Sequence, residues 1–446
     1  MVLVANIGSR ACPENYRPIS NTSVLCRLLE KIICCNILKH LMCHNLLSND
    51  QHGFLPRRST TSQLLKALSQ WQNTFYAKGT LDVIYTDLAK AFDKVSHSKL
   101  LEVLESYGIT NYPYEWIKSF LSNRKQMVSI GNSFSDLLNV KSGVPQGSVI
   151  GPLLFVLFID DLSNLKLQGS KLGIYADDVK LYSLNPNFLQ SDLDTVVHFF
   201  DKHQLEIAPA KCKQLTIGKK TKSNDYFIGN QMVQHCLSVK DLGILITKNL
   251  EWTQHINAIK VKAFRKCFHI LKSFHSRNIW TLLKAYLVFV RPMLEFSSII
   301  WNPQFLYQIK SLESVQRVYT RIICNRCKLP YISYDDRLCK LNLKSLQYRR
   351  VEADLVMVFK ILHQIVDLPM NDFFEYYESP YNTRRHKYCL RVNRCLTKSQ
   401  QGCFAERIVK VWNSLPSVIV ESVSLPEFRK KLNMFNLSSI VQFATI

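Results

Sequence analysis

No apolar run in these 446 residues is long enough to span a bilayer as a helix. The longest, LLFVLFI at 153–159, is stopped by Asp160, and AYLVFV is stopped by Arg291 and Pro292, so no membrane partner is expected. The opening MVLVANIGSR has neither a basic start nor an apolar segment, which argues against a secretory signal. Fourteen cysteines are scattered without such a signal ahead of them, so reduced thiols in an intracellular protein are expected. Cys324 and Cys327 form a close pair in CNRC, but no second pair or HxxxH follows at a usual spacing, so no structural zinc is expected. Internal repeats and low-complexity linkers are also missing.

Acidic residues are scarce. The chain carries 57 Lys and Arg against 34 Asp and Glu, a net charge of +23, and the imbalance is concentrated after Trp252. Residues 253–330 alone hold 13 basic and two acidic residues. A segment this one-sided expects a polyanion. Phe264, Phe268, Phe274, Trp280 and Tyr286 interleave with its basic residues. Any one of these side chains reads as ordinary surface or core, but the segment as a whole points to nucleic acid.

The remaining composition, 47% hydrophobic and 20% charged, is that of a soluble globular protein, and the length predicts two or three domains. Strands and helices alternate up to about residue 250, and helix dominates beyond. LDVIYTDL at 81–88 is β-rich, KLLEVLESYG at 99–108 has helical apolar spacing closed by Gly108, and DLDTVVHFFDKH repeats at 193, 196, 197 and 200. QLTIG and KDLGILIT read as short strands, and soft boundaries fall at 219–225 and 378–386.

The stretch GIYADDVKLY at 173–182 places Asp177 and Asp178 between two short strand-like runs, as in a hairpin. Adjacent carboxylates repel unless a cation sits between them. Taken alone, the pair still reads as a solvated turn. Asp87 ends the β-rich run some ninety residues earlier, and in a mixed α/β sheet both positions lie at strand ends. Carboxylates so grouped suit a pair of magnesium ions, which activate an attacking hydroxyl and neutralise a leaving oxygen in phosphoryl displacement. Other acids compete for this part. Asp160 and Asp161 look like the end of a buried helix, Asp93 reads as an N-cap before KVSHSKLLEVL, and Asp335 and Asp336 read as a Tyr-rich loop. Pattern alone leaves the choice open.

TDLAKAFDKVSH, SGVPQGSVIGPLLFVLFIDDL and YADD, in this order and spacing, resemble the palm motifs of reverse transcriptases, specifically those of non-LTR (LINE-type, Jockey-like) retrotransposons. The likeness extends through ENYRPIS and DQHGFLPRRSTTSQLL upstream, and through KDLGILITKNLEWTQHI, LESVQRVYTRII and FAERIVKVWNSLP downstream. It implies an α+β right-hand polymerase of fingers, palm and thumb with a helical, basic C-terminal region. Residues 1–252 would be fingers and palm, 253–330 a thumb-like region, and 331–446 the element's C-terminal region. The implied activity is RNA-directed DNA polymerisation with two magnesium ions, for which manganese can substitute. The implied partners are an RNA template, a DNA primer, their duplex and deoxynucleoside triphosphates, in the nucleus and cytoplasm. The alternative is a catalytically inactive retroelement relic that still binds nucleic acid.

The resemblance also assigns parts. Asp87 and Asp177 would hold metal directly, with Asp178 beside them and the carbonyl of Leu88 completing the shell. Phe92 would exclude a 2′-hydroxyl. Gly143, Pro145, Gln146 and Gly147 match the turn that supports the nascent base pair. Lys211, or alternatively Lys213, would protonate departing pyrophosphate, and Arg17 and Arg58 would meet the triphosphate. KDLGILIT resembles the primer grip. Three departures stand out: the chain opens almost directly on ENYRPIS, implying no N-terminal endonuclease; Ala208 stands where the family commonly has Asn; and no ribonuclease H pattern follows the thumb.

Overall fold

The structure, a computed structural model, describes residues 2–5, 16–130, 132–218, 224–378 and 386–437. Most of both soft boundaries, 219–223 and 379–385, lies outside the described residues. Contacts divide the chain into two compact units, one of Met1–Gln63 with Thr80–Cys236, the other of Leu64–Gly79 with Leu237–Ile446. This division falls before the KDLGILIT hairpin rather than at Trp252, and it sends most of an early helix to the second unit.

The first unit is built on five strands in the order Gln234–Cys236, Lys213–Ile217, Leu81–Thr86, Asp178–Ser183 and Lys171–Tyr175. All neighbours are antiparallel except the first pair. Leu81–Thr86 lies at the centre, and its Leu81, Val83 and Ile84 are all buried, as a strand covered on both faces requires. The helix Gly151–Ile159 is apolar all round, and each residue from Leu153 to Ile159 is buried. It packs against helix His97–Ser106, while helix Pro186–Lys202 packs on strand Asp178–Ser183. Local signals set these boundaries. Asn185 accepts from the amide of Asn187 with Pro186 at the first helical position, and Gly108, at φ +71°, follows the end of His97–Ser106.

Two expectations about carboxylates fail here. Asp93 caps no helix: it ends the short 3₁₀ turn Ala91–Asp93, and the helix beginning at His97 takes Ser96 as its cap residue. The Asp93 carboxylate instead accepts Gln146 Nε2–H, so a tertiary partner has displaced the local one. Asp335 and Asp336 lie not in a loop but in the first turn of helix Tyr334–Lys340, where Ser333 accepts from the Asp336 amide and the acids face the helix N-terminus.

Besides the early helix, the second unit contains the hairpin Ser238–Asp241 and Ile244–Thr247, whose Gly243 has φ +91°, and continues in helices. Thr253–Ser273, Ile279–Phe289, Leu306–Arg326 and Leu346–Leu362 are its longer members, and Thr253–Ser273 packs against Leu306–Arg326. Of the aromatics in the basic segment, Tyr286 is core, stacked on Tyr319 at 5.0 Å, whereas Phe268 and Trp280 are 58% and 59% exposed. Lys262, Arg265 and Lys266 are exposed on the first of these helices, while Lys260 donates to Ser311 Oγ at 2.9 Å.

Candidate active site

The hairpin Lys171–Tyr175 and Asp178–Ser183 is joined by the two-residue loop Ala176–Asp177, with Tyr175 paired to Asp178. Ala176 adopts φ +54°, a left-handed conformation that costs a non-glycine residue about 1–2 kcal/mol. Its surroundings hold it there. The Ala176 amide donates to Gln51 Oε1 at 3.0 Å, and a Cβ on Gly53 would lie 2.6 Å from the same amide nitrogen, so only glycine admits the hairpin tip. Arg58 anchors the supporting loop by donating to the carbonyls of Ser48 and, at 2.6 Å, Gln51. Its other terminal nitrogen reaches Asn49 Oδ1 at 3.4 Å.

Strand Leu81–Thr86 pairs with Asp178–Ser183 in the register Thr86 to Val179. Extending that antiparallel register by one residue sets Asp87 across from Asp178, with Asp177 at the hairpin tip. Beyond Thr86 the chain is steered by a bridge between Leu88 and Ile207. Its two bonds, Ala208 N to Asp87 O at 2.8 Å and Ala89 N to Glu206 O at 2.8 Å, leave the Leu88 carbonyl out of the pairing. Because the Ala208 backbone makes the tie, the Asn-to-Ala departure leaves it intact. Lys211, at the end of the turn Pro209–Lys211, brings Nζ to 3.6 Å from Asp87 Oδ2, with both side chains substantially exposed. Lys213 is the first residue of strand Lys213–Ile217, opposite Tyr85.

The expected base-pair support is clamped to the segment after Asp87. Val144 N donates to Phe92 O and Gly143 N to Val95 O, each at 2.8 Å, and Ser142 Oγ donates to Asp93 O at 3.0 Å. His97 donates Nε2–H to the Gly143 carbonyl at 2.9 Å, and Gln146 donates Nε2–H to Asp93 Oδ1 at 2.9 Å. Gly143 has φ +88°, and a Cβ there would sit 2.7 Å from Asp93 O; Gly147 has φ +102°, and a Cβ there would meet Ser20 O at 2.5 Å. Pro145 is buried within this turn, and its carbonyl accepts from the Ser148 amide at 3.1 Å. The Ser20 amide donates to Gln146 O at 2.7 Å, which ties the end of strand Tyr16–Ile19 to the turn. Arg17 belongs to that strand, but its side chain lies outside the described residues.

Phe92 is half-buried. Its ring stacks on Phe155 at 4.3 Å and 22°, and meets the half-exposed Phe54 edge-on at 6.4 Å. Phe54 also lies 6.3 Å from Tyr175, so aromatic rings line one side of the carboxylate-bearing sheet end. Burial, and secondarily the Asp178 carboxylate, pushes the Tyr175 hydroxyl above its ordinary range. Asp160 plays a different part: buried, it accepts from Ser48 N at 3.1 Å and Tyr107 Oη at 2.9 Å. Sequence reasoning missed Gln51, Phe54, Asp93, His97 and Tyr175 as contributors to this site. All five fall inside the quoted motifs, yet nothing in their spacing announces their partners.

Among the described residues no three His, Cys, Asp or Glu side chains converge on a metal position. The available donors are the carboxylates of Asp87, Asp177 and Asp178 and the Leu88 carbonyl, all hard oxygen. Such an incomplete set fits magnesium, which keeps water and substrate phosphate in its shell, and does not fit zinc, which favours nitrogen and sulfur.

A sequence profile described as reverse transcriptase (RNA-dependent DNA polymerase) matches residues 7–267. The probable RNA-directed DNA polymerase from transposon BS of Drosophila melanogaster is 28% identical over 65% of this chain and 34% of its own length. The RNA-directed DNA polymerase from mobile element jockey of the same species is 28% identical over 56% of this chain and 29% of its own. The chain thus spans about a third of the length of the curated relatives it matches. Among solved structures, apo telomerase from Candida tropicalis covers 94% of this chain and 61% of its own at 12% identity, with a TM-score of 0.44. With the profile matching more than half of its length, and with mobile-element polymerases as its relatives, the chain belongs to the reverse transcriptase family.

Proposed function

We propose that this chain carries the polymerase activity of a non-LTR retrotransposon, extending a DNA primer on an RNA template. The observation that supports the reading is the register that ends with Thr86 opposite Val179, one residue short of Asp87 and Asp178 on the paired strands, next to a turn clamped by the segment that bears Phe92.

In this reading Asp87 and Asp177 hold magnesium, with Asp178 and the Leu88 carbonyl beside them. Two such ions, when bound, lower the pKa of the primer hydroxyl and neutralise charge on the phosphates. The primer 3′-oxygen forms a bond to the α-phosphorus of the incoming nucleotide as the bond to the β-phosphate oxygen breaks, and pyrophosphate leaves. Lys211, already drawn toward Asp87, donates a proton to that leaving group. Phe92, braced by Phe155 and Phe54, presents a ring where a ribose 2′-hydroxyl would sit. Gln146 and the glycines on either side bring backbone close to the nascent pair. Arg58 supports the hairpin through the Gln51 loop, and Arg17 lies on the strand joined to the turn. The exposed cations of helix Thr253–Ser273 hold the duplex by its phosphates.

Primer extension on an RNA template with magnesium tests the reading. The native chain should incorporate deoxynucleotides, while Asp87→Ala and Asp177→Ala should abolish incorporation and leave primer–template binding in place. Asp160→Asn, which alters a buried acid bonded elsewhere, should retain most activity. A native chain that binds primer–template without extending it would instead be an inert nucleic-acid binder.

A further inference from the structure

The second unit contains a cleft of about 240 Å³, none of whose lining residues belongs to the carboxylate-bearing strands. Trp252, Gln304, Phe305, Tyr307, Gln308 and Lys398 contribute to its lining. Gln304 and Gln308 are only 7% and 6% exposed. Gln304 donates Nε2–H to the Asn302 carbonyl at 3.2 Å, and because a carbonyl can only accept, this bond fixes which way the amide points. Gln308 Nε2 lies 3.0 Å from Thr253 Oγ1 and 3.2 Å from the Tyr307 hydroxyl. Among the described residues Gln304 Oε1 receives no donor, whereas the two hydroxyls beside Gln308 can donate as well as accept and so suit either end of its amide. One open acceptor on a largely buried glutamine that lines the cleft suits an N–H group.

The second observation is aromatic. Phe305 and Tyr307 stack at 5.9 Å and 22°, and they are 40% and 61% exposed. Water can satisfy an amide oxygen but not the face of a ring. A flat heterocycle with N–H on its edge satisfies both, and every nucleobase is such a group. Lys398 is exposed and supplies positive charge for an attached phosphate.

The floor of the cleft is rigid. Arg350 Nε donates to Asn302 Oδ1 at 3.0 Å, and Asn302 Nδ2 donates to Asp354 Oδ2 at 2.8 Å. Arg407 donates to both oxygens of Asp354 and, at 3.0 Å, to the carbonyl of Gly402. Asn302 and Gly402 both line the cleft, so a buried ionic network sets its shape in advance.

We propose that this cleft seats one unpaired nucleobase of a single-stranded nucleic acid, stacked on the Phe305–Tyr307 pair and donating N–H to Gln304. The proposal rests on the polymerase reading, since it supplies a hold on template or displaced strand outside the duplex. It is tested on the full chain with short oligo(U) RNA and oligo(dT) DNA, each carrying one 5-iodo pyrimidine for photo-crosslinking. Crosslinks should map to Trp252, Phe305 or Tyr307. Tyr307→Ala should weaken single-strand binding about tenfold and leave a fully paired RNA–DNA duplex bound as before, and Tyr307→Phe should restore it. Crosslinking by both oligonucleotides marks a base-reading site, and crosslinking by the RNA alone marks one that also senses the 2′-hydroxyl. Crosslinks mapping elsewhere, or equal losses of duplex and single strand in Tyr307→Ala, overturn the cleft alone. A chain that binds no nucleic acid overturns both the cleft and the polymerase reading.

Discussion

Asp93 and Gln146 are joined by a hydrogen bond to a carboxylate, which fixes the orientation of the glutamine amide that we propose supports the nascent pair. Hydrogen bonds to charged groups contribute about 1.5–3 kcal/mol. Asp93→Ala should therefore lower primer extension by about ten- to a hundredfold, with Asp93→Asn intermediate, and thermal denaturation should separate this loss from misfolding. Phe92 offers a sharper test at the same scale. Phe92→Val removes the ring while Phe155 and Phe54 keep the surrounding wall, so the variant should incorporate ribonucleotides. Measuring ribonucleotide against deoxyribonucleotide incorporation checks it, and an active variant with unchanged discrimination would reject the gate.

Among the elements, the hairpin Ser238–Asp241 and Ile244–Thr247 is tied to the helix after it by His255. The Leu245 amide donates to His255 Nδ1 at 3.2 Å, and the ring meets Trp301 edge-on at 5.3 Å. Burial holds this imidazole at about 4, well below its ordinary value of 6.5. A histidine depressed on folding contributes stability that is whole above the unfolded value and is lost as pH falls toward the folded one. The window therefore runs from about pH 6.5 down to 4, and the loss amounts to about 3 kcal/mol. His255→Asn keeps an acceptor for Leu245 but does not titrate. Its urea-denaturation free energy should fall less than that of the native chain across this window, and parallel curves would show that His255 does not carry the dependence.

The whole molecule carries +23, and its second unit holds most of the excess. Each phosphate neutralised releases counterions, so binding of an RNA–DNA duplex should weaken steeply with salt. Removing Lys262, Arg265 and Lys266 together should flatten the log–log salt slope by about one unit per lost phosphate contact, without unfolding a helix on which all three are exposed. An unchanged slope would mean that this face is merely solvated. Lys260 is left out of the variant because its bond to Ser311 is structural.

Local physics made much of this legible before any coordinates. A β-rich run at 81–88, two strand-like runs flanking Asp177–Asp178 and helical spacing at 99–108 are properties of neighbouring residues, and the observed strand, hairpin and helix follow them, with the turn one residue earlier, at Ala176–Asp177. The palm motifs are likewise runs of adjacent residue types. Contacts between distant segments were not legible, because nothing local encodes them. Asp93 has the composition of a cap and became the anchor of Gln146; Gln51 and Gly53 lie more than a hundred residues before Asp177 yet support the tip that bears it. The interleaved aromatics of the basic segment divided into the buried Tyr286 and the exposed Trp280 only when the helices packed. A carboxylate, an amide or a ring takes the lowest free energy among the partners that burial makes available. That choice exists only after the sheet order and helix packing have brought residues from far along the chain together.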